Sequence, residues 1–124
     1  MLKLNKVLKL PTSPSIVFLV ELLNPKTGEI EYSDICIRLD TAVDQVFTHL
    51  QKYQEVPVQV DVSYDEQNEI EGIGFFDDDH EVISCVTAYH LDRDNDEPQH
   101  EEVKLACLQA GQDLEAALNK IFGN

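Results

Sequence analysis

Basic residues are scarce in this sequence, and they are almost absent between residues 65 and 102. The 124 residues include 24 Asp and Glu against nine Lys and Arg, which gives a formal net charge of −15. Fourteen of the acidic residues lie between Asp65 and Glu102, where Arg93 is the single base. Because direct binding to nucleic acid requires clustered lysine and arginine to neutralise phosphates, the sequence argues against that class of function.

The sequence also lacks the short motifs typical of catalytic and phosphate-binding sites. It contains no glycine-rich phosphate loop, no Gly-x-Ser-x-Gly elbow and no His-Glu-x-x-His motif. Gly72 and Gly74 fall inside a predicted strand, so we interpret them as a bulge or a point of close packing. The sequence therefore predicts no catalytic residue, no cofactor and no dedicated metal site, and it favours a protein that is not an enzyme.

Cysteines and long apolar runs are also few. Cys36, Cys85 and Cys107 are odd in number and widely spaced, a pattern that indicates neither a disulfide framework nor a zinc site. The apolar run at residues 16–23 contains Glu21, lacks a signal-peptide cleavage site and is too short to cross a bilayer. We therefore expect a cytoplasmic protein with buried thiols and no membrane association.

The hydrophobic pattern that is present predicts an α+β fold in one domain spanning residues 1–124. With 43% hydrophobic residues, a chain of this length can bury a core. In residues 15–23 both alternating sets of side chains are apolar, which predicts an interior strand. A turn that contains proline and glycine follows, so residues 29–39 are predicted to form a second strand antiparallel to the first, with a bulge at Ser33 and Asp34. Residues 56–64, 70–76 and 82–91 predict a meander of three strands whose first member is an edge strand.

Two helices complete the predicted order (β)ββαβββα. The first begins at Asp40 and ends near Tyr53, and the second runs from about residue 98 to Gly123. Gly111 lies in the middle of the second helix, where glycine lowers helix stability by about 1 kcal/mol relative to alanine. Their predicted apolar stripes are Val43, Val46, Phe47 and Leu50, and Val103, Cys107, Ala110, Leu114, Ala117 and Ile121. We expect an antiparallel sheet of about five strands with both helices on one face.

The first fourteen residues form a basic segment with an alternating pattern. Lys3, Lys6 and Lys9 are its only charged residues, and leucines occupy positions 2, 4, 8 and 10. This pattern predicts a basic arm or a sixth, edge strand guarded by lysines, and a short amphipathic helix is the alternative.

Several residues belong to types that can act as nucleophiles, bases or metal ligands. Cys85 and His90 are five residues apart in one strand, so they project to opposite faces, and we expect Cys85 to be a structural thiol on the core side. His49 is expected to face solvent or a helix cap, and His80 is expected to be a solvated histidine in a hairpin turn. The carboxylates at positions 92, 94 and 96 resemble the start of a calcium loop, but Glu97 and Val103 replace the glycine and the glutamate that such a loop needs.

The clustered carboxylates support the leading hypothesis of a non-catalytic binding or inhibitory protein. A continuous negative surface would attract a basic partner such as a nucleic-acid-binding protein or a nuclease, and one form of this hypothesis is a nucleic-acid mimic. The alternatives are a metal-assisted enzyme or small-ligand-binding domain, and a homodimeric structural protein. The predicted partner-binding residues are Asp77, Asp78, Asp79, Glu81, Asp92, Asp94, Asp96, Glu97, Glu101 and Glu102.

Overall fold

The computed structural model describes residues 16–54, 57–90 and 101–123, which form a single antiparallel sheet and two helices. The elements are β1 (Ile16–Leu23), β2 (Ile30–Cys36), α1 (Leu39–Lys52), β3 (Gln59–Tyr64), β4 (Ile70–Phe76), β5 (Val82–His90) and α2 (Glu101–Gly123). The strand order is β2-β1-β5-β4-β3. The predicted α+β fold is confirmed, whereas the predicted arm or strand at residues 1–14 lies outside the described residues.

One face of the sheet carries the core and both helices. On β1, Phe18, Val20 and Leu22 are buried, and they lie beside Val86 and Ala88 of β5. Alternation places every second side chain of these strands on this face, so the helices need only one apolar stripe each to close the core. The ring of Phe122 on α2 lies 5.4 Å from Phe47 of α1 and 5.1 Å from Phe75 of β4, and it therefore joins both helices to the sheet.

The helices differ from the sequence prediction in detail. Helix α1 begins at Leu39 rather than Asp40. The His49 side chain is only 8% exposed, and its Nε2 donates a hydrogen bond to the Leu23 carbonyl at 2.7 Å. The expectation that His49 faces solvent or a helix cap is therefore wrong, because its partner is a carbonyl at the end of β1. On α2 the largest fully buried side chains are Leu114, Leu118 and Phe122. Four members of the predicted stripe are only half-buried: Cys107, Ala110, Ala117 and Ile121.

The strand registers shift at three places, one of which lies between Ser63 and Tyr64 in the β3–β4 pairing. In β5, Phe75 pairs with Ser84 and Phe76 pairs with Val82, so Ile83 is the extra residue. Because of this bulge Ile83 and Ser84 are both buried, and Cys85 lies on the face opposite the helices rather than on the predicted core side. The bulge that we predicted at Ser33 and Asp34 of β2 lies instead opposite the Leu22 to Leu23 step of β1.

Candidate functional site

The two turns in which the described acidic residues are most concentrated share one conformation. The β3–β4 turn, Asp65–Glu69, and the β4–β5 turn, Asp77–Glu81, each begin with an aspartate whose Oδ1 accepts hydrogen bonds from the backbone N–H groups two and four residues later, at 2.8 to 3.0 Å. The fourth residue of each turn, Asn68 or His80, has a positive φ near 60°. An aspartate at the first position is favoured because it satisfies amides that the turn leaves unpaired.

These bonds divide the acidic residues of the β4–β5 turn into two kinds. Asp77 shapes the turn, because its carboxylate is occupied by the amides of Asp79 and Glu81. Asp78, Asp79 and Glu81 are exposed, and no Lys or Arg within the described residues forms an ion pair with any of their side chains. Three solvent-facing carboxylates therefore lie on consecutive or near-consecutive positions without a neutralising base.

The structure does not gather the described members of the predicted site into one cluster. Successive turns of a meander lie at opposite ends of the strand between them, and the seven residues of β4 span about 20 Å. Glu101 and Glu102 begin α2 at the end of the sheet that holds the other acidic turn, since Asn68 Nδ2 donates to the Lys104 carbonyl at 3.2 Å. They therefore lie far from Asp77, Asp78, Asp79 and Glu81.

The remaining predicted residues, Asp92, Asp94, Asp96 and Glu97, lie outside the described residues, and so does the calcium-loop pattern to which they belong. Glu101 and Glu102 are both exposed in the first turn of α2, where negative charge favours the helix by opposing its dipole. A structural role thus accounts for these two glutamates, while the partner-binding role of the whole set stays a prediction.

One edge of the sheet is closed by side chains of α2. The Asn119 amide group donates to the Val60 carbonyl at 2.9 Å and accepts from the Val60 N–H at 2.8 Å. Glu115 accepts a hydrogen bond from the Val62 N–H at 2.8 Å, and the Val58 N–H donates to the Phe122 carbonyl. Four outward backbone groups of β3 and the residue before it are therefore occupied by α2, which protects this edge from pairing with another strand.

The opposite edge, strand β2, has no such cover among the described residues. All of its side chains are exposed except those of Asp34 and Cys36. Four large apolar side chains along or just beyond the strand are more than half exposed: Ile30, Tyr32, Ile35 and Ile37. The sequence indicated these residues only as a strand, because alternation alone does not show whether a strand is interior or at an edge.

The sheet face opposite the helices carries a shallow groove of about 420 Å³. It exists because Gly72 and Gly74 present no side chain there, and a Cβ on Gly74 would approach the ring of Phe76 to 2.6 Å. Burial, and secondarily the nearby Glu21 carboxylate, raise the pKa of the Cys85 thiol at the groove to about 11. This thiol is therefore protonated at neutral pH, which is unsuited to nucleophilic chemistry.

Metal and membrane features are also absent from the described parts of the chain. No three His, Cys, Asp or Glu side chains within residues 16–54, 57–90 and 101–123 come together in a way that could hold a metal ion. Within the same ranges, neither helix has the length and apolar character needed to cross a membrane. Comparison of the chain with family models, with characterised proteins and with solved structures gives no match.

Proposed function

We propose that this protein is a small, non-catalytic binding or inhibitory protein whose carboxylates engage a basic protein partner. The observation that carries the proposal is the exposed acidic turn between β4 and β5, in which Asp78, Asp79 and Glu81 have no neutralising base among the described residues. A rigid hairpin turn holds these groups at defined positions, so they lose little freedom when a cationic surface approaches.

The charge of the surrounding sheet supports the same proposal. Residues 57–90 contain nine Asp and Glu and no Lys or Arg, and seven of the nine lie in the two turns Asp65–Glu69 and Asp77–Glu81. Such a surface attracts a basic groove at long range and speeds association, and it repels nucleic acid and other acidic proteins. A partner whose basic groove normally binds phosphates fits this surface, which is the sense in which the protein would act as a nucleic-acid mimic.

The compartment that we propose is the cytoplasm. None of the three cysteines forms a disulfide, and burial and nearby carboxylates raise the pKa of both Cys36 and Cys85. Protonated thiols outside disulfides are typical of a reducing compartment.

The test uses the full-length protein as immobilised bait. Partners captured from lysate at low salt should be basic proteins, and raising the salt from about 0.05 M to about 0.5 M should lower their retention at least about tenfold, because salt screens exposed charges. Duplex DNA added as a competitor should release a partner that binds through a DNA-binding groove. Retention that does not change with salt would show that electrostatic recognition is the wrong mechanism.

A matched pair of triple variants separates the acidic turn from net charge. The D78N/D79N/E81Q variant should lose most of the salt-sensitive retention, because it removes three carboxylates from one turn while leaving Asp77 to shape it. The control variant D61N/E71Q/D113N removes three charges from exposed positions that lie outside both acidic turns and outside β2. Equal losses in the two variants would contradict a localised site.

A further inference from the structure

The outer edge of β2 offers backbone groups as well as side chains. The Ile35 N–H donates to Asp34 Oδ1 at 2.9 Å rather than to β1, which places the Ile35 backbone on the side of β2 that faces away from the sheet. Because backbone direction alternates along a strand, Ser33 also directs its N–H and C=O outward. Neither group of Ser33 has a hydrogen-bond partner beyond the β1–β2 pairing within the described residues.

The two edges of the sheet, β2 and β3, differ in how their backbone groups are covered. Asn119 and Glu115 of α2 close the β3 edge against strand addition, yet β2 presents free backbone together with Ile35, which is 67% exposed. An exposed apolar edge strand is a docking surface or an aggregation hazard. Within residues 16–54, 57–90 and 101–123, the fold therefore blocks one edge of the sheet and leaves the other available.

Charge selects the kind of segment that fits this edge. Glu29, Glu31 and Asp34 lie on or beside β2, and residues 27–37 contain no Lys or Arg. A second copy of the chain would bring this acidic strand against itself, and like charges on facing strands are destabilising. A segment with lysine or arginine between its apolar residues would complement both the carboxylates and the exposed isoleucines.

We propose that the free edge of β2 pairs with an extended segment of a basic protein partner in which apolar side chains alternate with lysine or arginine. Backbone hydrogen bonds to Ser33 would supply part of the affinity, and Ile35 would supply an apolar contact for alternate side chains of the segment. The inference that the segment is positively charged rests on the proposed function. The mode of docking, which is strand addition at β2, goes beyond that function.

The probe is a fluorescent, capped eight-residue peptide of alternating lysine and valine, titrated with the full-length protein and followed by anisotropy. The same peptide with glutamate in place of lysine should bind at least about tenfold more weakly, because it meets an acidic edge. Hydrogen exchange at the Ser33 amide should slow when the lysine peptide binds, since the amide becomes a donor to the added strand.

Two edge variants and a matched control locate the binding. S33P removes a donor that faces away from β1, so the β1–β2 pairing is retained while affinity should fall about tenfold. I35Q should weaken binding about fivefold by removing an apolar contact. L105Q replaces an apolar side chain of similar exposure, 60%, on α2, and should change affinity less than about twofold. If S33P unfolds the protein, I35Q and the exchange at Ser33 decide the question.

The outcomes separate this inference from the proposed function. If D78N/D79N/E81Q weakens peptide binding while S33P and I35Q do not, the electrostatic function stands and docking at β2 is overturned. If the lysine and glutamate peptides bind the β2 edge equally well, strand addition stands and the basic partner is overturned.

Two further results would assign the edge to another occupant and would overturn the inference. The first is a dimer in sedimentation that S33P dissociates, which would identify a second copy of the chain. The second is peptide binding that appears only after Lys3, Lys6 and Lys9 are replaced by glutamine, which would identify the chain's own basic segment.

Discussion

Gly111 is a residue at which helix propensity and tertiary packing oppose each other. Glycine in the middle of a helix costs about 1 kcal/mol relative to alanine, and α2 nevertheless continues through this position without a break. A Cβ on Gly111 would overlap the aromatic ring of Tyr64 at the end of β3. The glycine therefore allows α2 to lie close to β3, which is the contact that also brings Asn119 and Glu115 to the edge of the sheet.

The substitution Gly111→Ala should consequently lower the free energy of unfolding by about 1 to 3 kcal/mol, because the added methyl group must displace the Tyr64 ring. In a Tyr64→Ala background the same substitution should raise that free energy by up to about 1 kcal/mol, since only the helix propensity remains. Urea unfolding of the four proteins measures both effects. Stabilisation by Gly111→Ala in the wild-type background would contradict the packing explanation.

At the scale of elements, the docking of α2 on β3 depends on side chains that imitate a neighbouring strand. Asn119 binds both backbone groups of Val60, so the substitution Asn119→Ala leaves a donor and an acceptor unsatisfied at a half-buried position. We expect a loss of about 2 to 3 kcal/mol in the free energy of unfolding, measured by urea denaturation. Gln109→Ala, at an exposed position of the same helix, should change that value by less than about 0.5 kcal/mol.

A change of less than about 0.5 kcal/mol for Asn119→Ala would show that the β3 edge does not depend on this contact. Glu115→Gln is an informative companion, because the amide oxygen can still accept from the Val62 N–H. Glu115→Gln should therefore lower the free energy of unfolding less than Asn119→Ala, which removes the hydrogen-bond partners of both the N–H and the carbonyl of Val60.

At the scale of the whole molecule, the dominant property is unbalanced negative charge. The formal net charge of −15 implies mutual repulsion among carboxylates that a compact state holds closer together than an unfolded chain does. Raising sodium chloride from about 0.02 M to about 0.5 M should therefore raise the melting temperature, because it shortens the screening length from more than 20 Å to a few ångströms.

The D78N/D79N/E81Q variant should show a higher melting temperature than the wild type at low salt and a smaller response to added salt. Scanning calorimetry at several salt concentrations measures both quantities. A melting temperature that is independent of salt in the wild type would contradict a repulsive contribution from these carboxylates.

The fold was largely predictable because its signals are local. Asn24–Gly28 has turn chemistry, β3 alternates cleanly, and α1 has a single apolar face, so each element could be identified from a window of about ten residues. The bulge at Ile83 could not be predicted, since every second residue around it is also apolar, and for that reason Cys85 was assigned to the wrong face. His49 was missed in the same way, because its partner, the Leu23 carbonyl, lies 26 residues earlier.

The candidate site was less predictable, because closeness along the chain is not closeness in space. Asp78, Asp79 and Glu81 of the predicted set are exposed and Asp77 is half-buried. Antiparallel pairing places their turn and the start of α2 at opposite ends of the sheet. No pattern in residues 30–36 distinguishes the open edge at β2 from the covered edge at β3, because that difference depends on where α2 docks.

The sequence by itself therefore determined the element order, the one-sided core and the negative sign of the surface, since periodicity and charge are properties of short stretches of chain. Only the tertiary structure decided which carboxylates lie together, which sheet edge is closed and which is open, and why Gly111 is a glycine. These features depend on contacts between residues some 40 to 60 positions apart, and in such contacts geometry rather than local preference selects the neighbour.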